Sequence, residues 1–146
     1  MRATEMRASG NQGGFTLIEL VVVITILGIL AAFAVPRFVA LDTQARVSTQ
    51  QALAGSVRSA AALSHALWLA QGQPATVTID NQAITMVNGY PNLASIQLAL
   101  SDFTGYTYTA ATGVFARTTG PTCSVTYAQA AANGAPTVTP AAVGTC

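Results

Sequence analysis

One carboxylate, Glu19, stands alone in a run that otherwise carries no charge, and it is the residue with the most chemistry to offer. It lies four positions after Phe15, in a stretch from Phe15 to Val35 that reads FTLIELVVVITILGILAAFAV. As a helix this stretch is about long enough to cross a bilayer. An ionisable group in such surroundings is costly, so it asks for a partner of opposite sign. A cut between Gly14 and Phe15 would supply one, because it exposes a positive α-amino group. Within one helix that amine and Glu19 would lie about 6 Å apart along the axis. Between helices staggered along a common axis they could meet and neutralise each other, an arrangement that needs many copies of the chain.

The other reactive groups lead away from catalysis. His65 is the sole histidine and falls inside a helical pattern. Ser64 beside it makes no triad, because adjacent helix positions do not face each other. Asp80 and Asp102 are isolated and lack the spacing of a calcium loop. With no phosphate-cradling glycine motif and no Cys/His cluster, the reading is no catalytic residue, no metal, no cofactor and no enzyme. Trp68 reads as a core anchor. Cys123 and Cys146 are the two cysteines, and in an exported domain such a pair reads as a disulfide. Closing that loop contributes about 3 kcal/mol in the chain-entropy model and ties down the last residue. Free thiols or half a metal site are the alternatives, and two cysteines without a neighbouring histidine fall short of a zinc set.

Charge is scarce throughout. Of 146 residues 51% are hydrophobic and 8% charged, against roughly 25% charged in average soluble domains. All six basic residues are arginine. Without residues 1–14, Arg37, Arg46, Arg58 and Arg117 balance Glu19, Asp42, Asp80 and Asp102, so the side chains sum to zero. A near-neutral surface suits dense packing of identical copies, where like charges would repel. Scattered arginines do not make a phosphate-binding face, which argues against nucleic acid as a main partner. Arg2 and Arg7 ahead of the apolar run favour a cytoplasmic N-terminus, with the remainder across the membrane.

The elements that must position these groups follow from pattern. Residues 37–71 contain no proline and many alanines, which favour helix. Leu53, Val57, Ala60, Ala61, Ser64, Leu67 and Trp68 recur at three- and four-residue spacings, a stripe that needs covering. Gly72, Gln73 and Pro74 end the pattern. Gly28 weakens the helix by about 1 kcal/mol relative to alanine, and Pro36 removes an amide donor and clashes with the preceding turn. Gly28 to Pro36 is therefore expected to be the weakest helical stretch. Beyond Pro74, 75–79 and 83–87 read as a hairpin around Asp80-Asn81-Gln82, and Asn88-Gly89-Tyr90-Pro91 as a turn. Asn92 is expected to cap a short helix over 93–100. Further strands are expected at 106–110, 114–117 and 124–127, with 137–139 at an edge between Pro136 and Pro140. Four or five short antiparallel strands covering the helical stripe make an α+β fold.

The G-FTLIE motif at Gly14–Glu19, followed by the long apolar helix, resembles type IV pilins and their type II secretion pseudopilin relatives. The resemblance is close from Gly14 to about Arg37, fainter to about Gln71 and architectural beyond. It implies a leader at 1–14, a transmembrane or filament-core helix at 15–36, and an amphipathic helix with a β-sheet head at 37–146. It implies removal of the leader after Gly14 by a prepilin peptidase, N-methylation of Phe15, and Glu19 as the assembly carboxylate. Partners implied are further copies in a helical filament, a pilus assembly platform and the inner membrane, which holds the precursor before an extracellular pilus forms. Segments between a glycine and a proline such as Gly28 and Pro36 are thought to unwind when family members pack. Many pilins also staple their C-terminal region with a disulfide, as Cys123 and Cys146 could. The NGYP turn resembles that of the mannose-sensitive haemagglutinin type. The leader departs a little, with Asn11, Gln12 and Gly13 where many relatives have a basic residue before the glycine.

Other readings compete. An ordinary signal peptide could use Arg2 and Arg7 as its n-region and cut after Ala32-Phe33-Ala34, but its apolar core is usually about 7–15 residues and has no use for Glu19. A plain membrane anchor, a secretion pseudopilin and a minor pilin are further alternatives, as is a secreted enzyme lacking any visible catalytic set. The cysteine pair and the missing acidic calcium site favour a pilin over a pseudopilin.

Overall fold

The structure, a computed structural model, describes residues 14–120 and 122–146. Positions 1–13, including Arg2, Arg7 and most of the expected leader, lie outside the described residues. The chain divides into two compact units, Met1–Ala40 and Leu41–Cys146. One α-helix, α1, spans Leu17–Ala70, so its first part belongs to one unit and its second part to the other.

In the first unit α1 is apolar on every side. Phe15 is 92% exposed and Phe33 75%, so the lone chain covers none of this surface. Helical conformation continues through Gly28 and Pro36. Pro36 has no amide to offer the Ala32 carbonyl, so the ladder lacks one bond there. A side chain at Gly28 would meet nothing within 4 Å, so no contact within the subunit requires glycine at that point.

In the second unit the amphipathic stripe is covered as its spacing predicts. Leu53, Ala54, Val57, Ala60, Ala61 and Ser64 are buried, while Leu67 and Trp68 are half-buried. Seven short strands in two antiparallel sheets do the covering, more than the four or five anticipated. The first sheet joins β1 (Thr76–Ile79), β2 (Gln82–Val87) and β3 (Tyr90–Pro91). Its inward residues alternate with threonines: Val77 faces Ile84 across the pair, and both are fully buried. The second is a meander of β4 (Tyr106–Thr109), β5 (Val114–Arg117), β6 (Ser124–Ala128) and β7 (Thr137–Pro140). Leu53, Ala54, Val57 and Ala61 pack on Ile96, Phe115, Val125 and Tyr127 from this side. The small residues of α1 let the sheet come close.

Turn chemistry fixes the registers. Asp80 and Asn81 take φ 47° and 61°, and Asn88 and Gly89 take 53° and 83°. Both are two-residue loops with left-handed backbone at each position, the hairpin connection that matches strand twist. Gln82 therefore belongs to β2, and Tyr90-Pro91 pair with Val87 and Met86 rather than completing a wide turn. A side chain at Gly113 would overlap the Tyr127 carbonyl oxygen, so only glycine allows β5 to start there. The helix expected over 93–100 shrinks to a 3-10 turn, Ile96–Ala99. Asn92 does act locally: its Oδ1 accepts from the Ser95 N–H at 2.9 Å and the Ser95 hydroxyl at 2.8 Å. That is the side-chain bond of a helix cap, made to the N–H three residues on, and the turn it opens runs into the short 3-10 turn instead of a regular α-helix.

Candidate functional site

At its N-terminal end α1 begins with a reciprocal cap. The Thr16 N–H and Thr16 hydroxyl both donate to Glu19 Oε2, at 2.9 and 2.7 Å. The Glu19 N–H donates in return to Thr16 Oγ1 at 3.3 Å. This is a capping box, in which a threonine before the first helical residue and a glutamate three further on satisfy each other's free amides. It also puts a negative charge where the helix dipole favours one. The T-x-x-E pattern at 16–19 is the sequence signature of such a start. Among the described residues both bonds fall on Oε2 and none on Oε1.

The neighbours of that carboxylate are apolar. Phe15, Ile18, Val22 and Val23 line an open groove with Glu19. Gly14, Phe15 and Thr16 precede the helix without regular structure, so the Gly14–Phe15 bond lies in non-helical backbone. The site thus combines an accessible peptide bond, a charge acceptor about one turn along, and an apolar wall.

In the head the sequence-predicted residues have structural roles. Cys123 and Cys146 form a disulfide with Cα atoms 4.8 Å apart. Gln50, which sequence reasoning did not single out, is 1% exposed and anchors this corner. Its Nε2 donates to the Ser124 carbonyl at 2.6 Å and the Ala141 carbonyl at 3.3 Å, and its Oε1 lies 3.0 Å from Cys146 Sγ. Its partners are far away in sequence, so no local pattern could reveal them. His65 Nδ1–H donates to the Gly89 carbonyl at 2.7 Å. Its ring stacks on Tyr90 at 4.3 Å between centroids and lies near Trp68 at 5.6 Å. A side chain at Gly89 would come within 2.9 Å of the Trp68 ring. This cluster clasps the Asn88-Gly89 turn to α1.

Two tyrosines and one aspartate are electrostatically distinctive. Tyr127 donates its hydroxyl to the Pro91 carbonyl and Tyr108 to that of Leu93, both at 2.6 Å. Burial pushes the Tyr108 phenol up to about 12 and raises that of Tyr127 as well. Asp102 Oδ1 accepts from the Thr104 hydroxyl at 2.5 Å and its N–H at 2.8 Å. Those bonds, the hydroxyl first, hold its carboxyl below the usual range. No group of three or more His, Cys, Asp or Glu residues able to hold a metal occurs among the described residues.

One comparison with known proteins falls on the same N-terminal segment. The family described as the prokaryotic N-terminal methylation motif matches residues 9–35. The chain is 59% identical over 51 residues to the type IV narrow pilus major component PilA5 of Thermus thermophilus, covering 35% of this chain and 44% of that protein. By sequence it is similar to type IV pilins. It is 37% identical over 94 residues to the type IV major fimbrial protein FimA of Dichelobacter nodosus, 58% of each chain. It is also 47% identical over 52 residues to the type II secretion system core protein G of Pseudomonas aeruginosa, 36% of this chain and 34% of that one. The chain thus spans about half the length or less of the curated pilins and pilin-like proteins it matches. No solved structure matches it significantly.

Proposed function

We propose that this chain is the structural subunit of a type IV pilus. A prepilin peptidase removes the leader after Gly14, and the new Phe15 amine is methylated. The apolar part of α1 holds the subunit in the inner membrane until an assembly platform transfers it into a growing filament outside the cell. Burial of the exposed apolar surface between copies then supplies cohesion, at about 25 cal/mol per Å². Glu19 accepts the Phe15 amine of a neighbouring copy and so sets the axial register, because a mispaired charge inside an apolar bundle is penalised. The filament serves adhesion or motility as a polymer.

The observation that carries this reading is Glu19 itself, the one charge of an uncovered apolar segment that also matches the methylation motif. The capping box refines its chemistry. Oε2 stays with Thr16 while Oε1 takes the incoming amine, so pairing between copies need not undo the helix start. The match to a fimbrial protein extends over 94 residues, whereas that to the secretion core protein stops at 52, which supports a pilus over a secretion pseudopilus.

The test is Glu19→Ala in a host that assembles the unaltered chain. Processed, membrane-held subunit beginning at Phe15 is expected, with filaments on sheared cells reduced to background. Normal filaments from this variant, or a mature chain that still carries residues 1–14, would overturn the reading.

A further inference from the structure

Trp68 is the chain's sole tryptophan, and packing in the head does not cover all of it. Its indole packs on Val77, Ile84 and Met86, yet the residue stays partly exposed. The remainder borders an open cavity of about 490 Å³, within the range of about 300–1,000 Å³ usual for small-molecule sites. Three segments distant in sequence meet there: the end of α1, the β2–β3 turn and the stretch between β6 and β7. Trp68, Pro74 and Met86 give an apolar wall, and Gln73, Asn88 and Asn133 give three carboxamides.

The backbone holds these polar groups in place. Gln73, Asn88 and Asn133 all take left-handed conformations, with φ 63°, 53° and 59°. The Gln73 N–H donates to the Trp68 carbonyl at 2.8 Å, and the Gly134 N–H to that of Ala131 at 3.0 Å. Asn88 Nδ2 is engaged by the Ala130 carbonyl, which leaves its Oδ1 as an acceptor. Gln73 and Asn133 are exposed, and their side chains make no hydrogen bond among the described residues. A carboxamide both donates and accepts, as a hydroxyl does. No charged side chain lines the cavity, so an ionised ligand would lose water there and gain no counter-charge. A pyranose answers both conditions, with hydroxyls around its rim and C–H groups to set against an apolar wall.

We propose that this cavity binds an uncharged saccharide, its hydroxyls on Gln73, Asn88 and Asn133 and its C–H groups against Trp68. A single subunit holds the whole site, so binding does not depend on filament formation. The experiment uses the full chain extracted in a detergent with a phosphocholine head, which offers no competing sugar. Trp68 is the fluorescent reporter, and methyl glucoside, methyl galactoside and N,N′-diacetylchitobiose are the probes. At least one of them shifts the Trp68 emission saturably. Gln73→Gly combined with Asn133→Gly weakens that binding by about tenfold or more, through two lost hydrogen-bonding groups. Glycine suits left-handed backbone, so the double variant keeps the melting temperature and its defect is one of binding. The uronic acid counterpart of the responding sugar, ionised at neutral pH, binds about tenfold more weakly or worse. No saturable shift with any of the three sugars overturns the site. A response that the double variant leaves undiminished, or that the uronic acid matches, overturns it as well.

Discussion

The two compact units are built on opposite relations to solvent. From Phe15 to Leu41 nearly every large apolar side chain is exposed, whereas from Leu53 onward α1 hides its apolar stripe under two sheets. Only the second unit covers its own hydrophobic surface; the first leaves its apolar side chains exposed. It follows that substitutions in the head should be read in the stability of the single subunit, and those in the apolar segment in assembly.

The largest test of that division is Phe115→Ala. Phe115 is fully buried and meets Tyr108 and Phe103, and such truncations cost about 3–5 kcal/mol. Denaturant titration of the detergent-extracted subunit should show this loss, while Glu19→Ala in the same assay should leave the head transition unmoved. A head transition that shifts equally in both would break the comparison. Next in size is reduction of Cys123–Cys146, which should lower head stability by about 3 kcal/mol through the freed loop. Helix content of the apolar segment, followed by circular dichroism at low denaturant, should not change.

The smallest effect is expected from pH. Burial favours the protonated Tyr108 in the folded state and raises its value to about 12. Its contribution is therefore complete below the ordinary phenol value of about 10 and is lost as pH rises through about 12. Tyr127 acts in the same direction. Melting temperature should fall from about pH 10 upward, together with tyrosinate absorbance that appears only on unfolding. Tyrosinate absorbance titrating fully near pH 10 in the folded subunit would show that these hydroxyls are not held as described.

Much of this was legible in the chain. Spacing placed the stripe on α1, β-type pattern placed every strand except β3, and Asp80-Asn81 and Asn88-Gly89 announced their turns, because all of these are local signals. The shortness of the 3-10 turn at Ile96 was not, since the cap at Asn92 marks where a helical turn begins but not how far it runs. Gln50 was illegible for a different reason: a glutamine on a helix looks solvated until two strand carbonyls arrive beside it. At the candidate site the sequence showed Glu19 and its charge; the engagement with Thr16 was written there too, but in the vocabulary of helix starts.

The clasp on the Asn88-Gly89 turn also bears on ageing. Asn88 Nδ2 donates to the Ala130 carbonyl at 2.8 Å, tethering the turn to the segment that leads into β7. Hydrolysis of that side-chain amide to an acid would set two oxygens against each other with no proton between them at neutral pH. A long-lived protein would carry in this one dipeptide a record of its time since synthesis, readable as a one-dalton gain and a loosened tether.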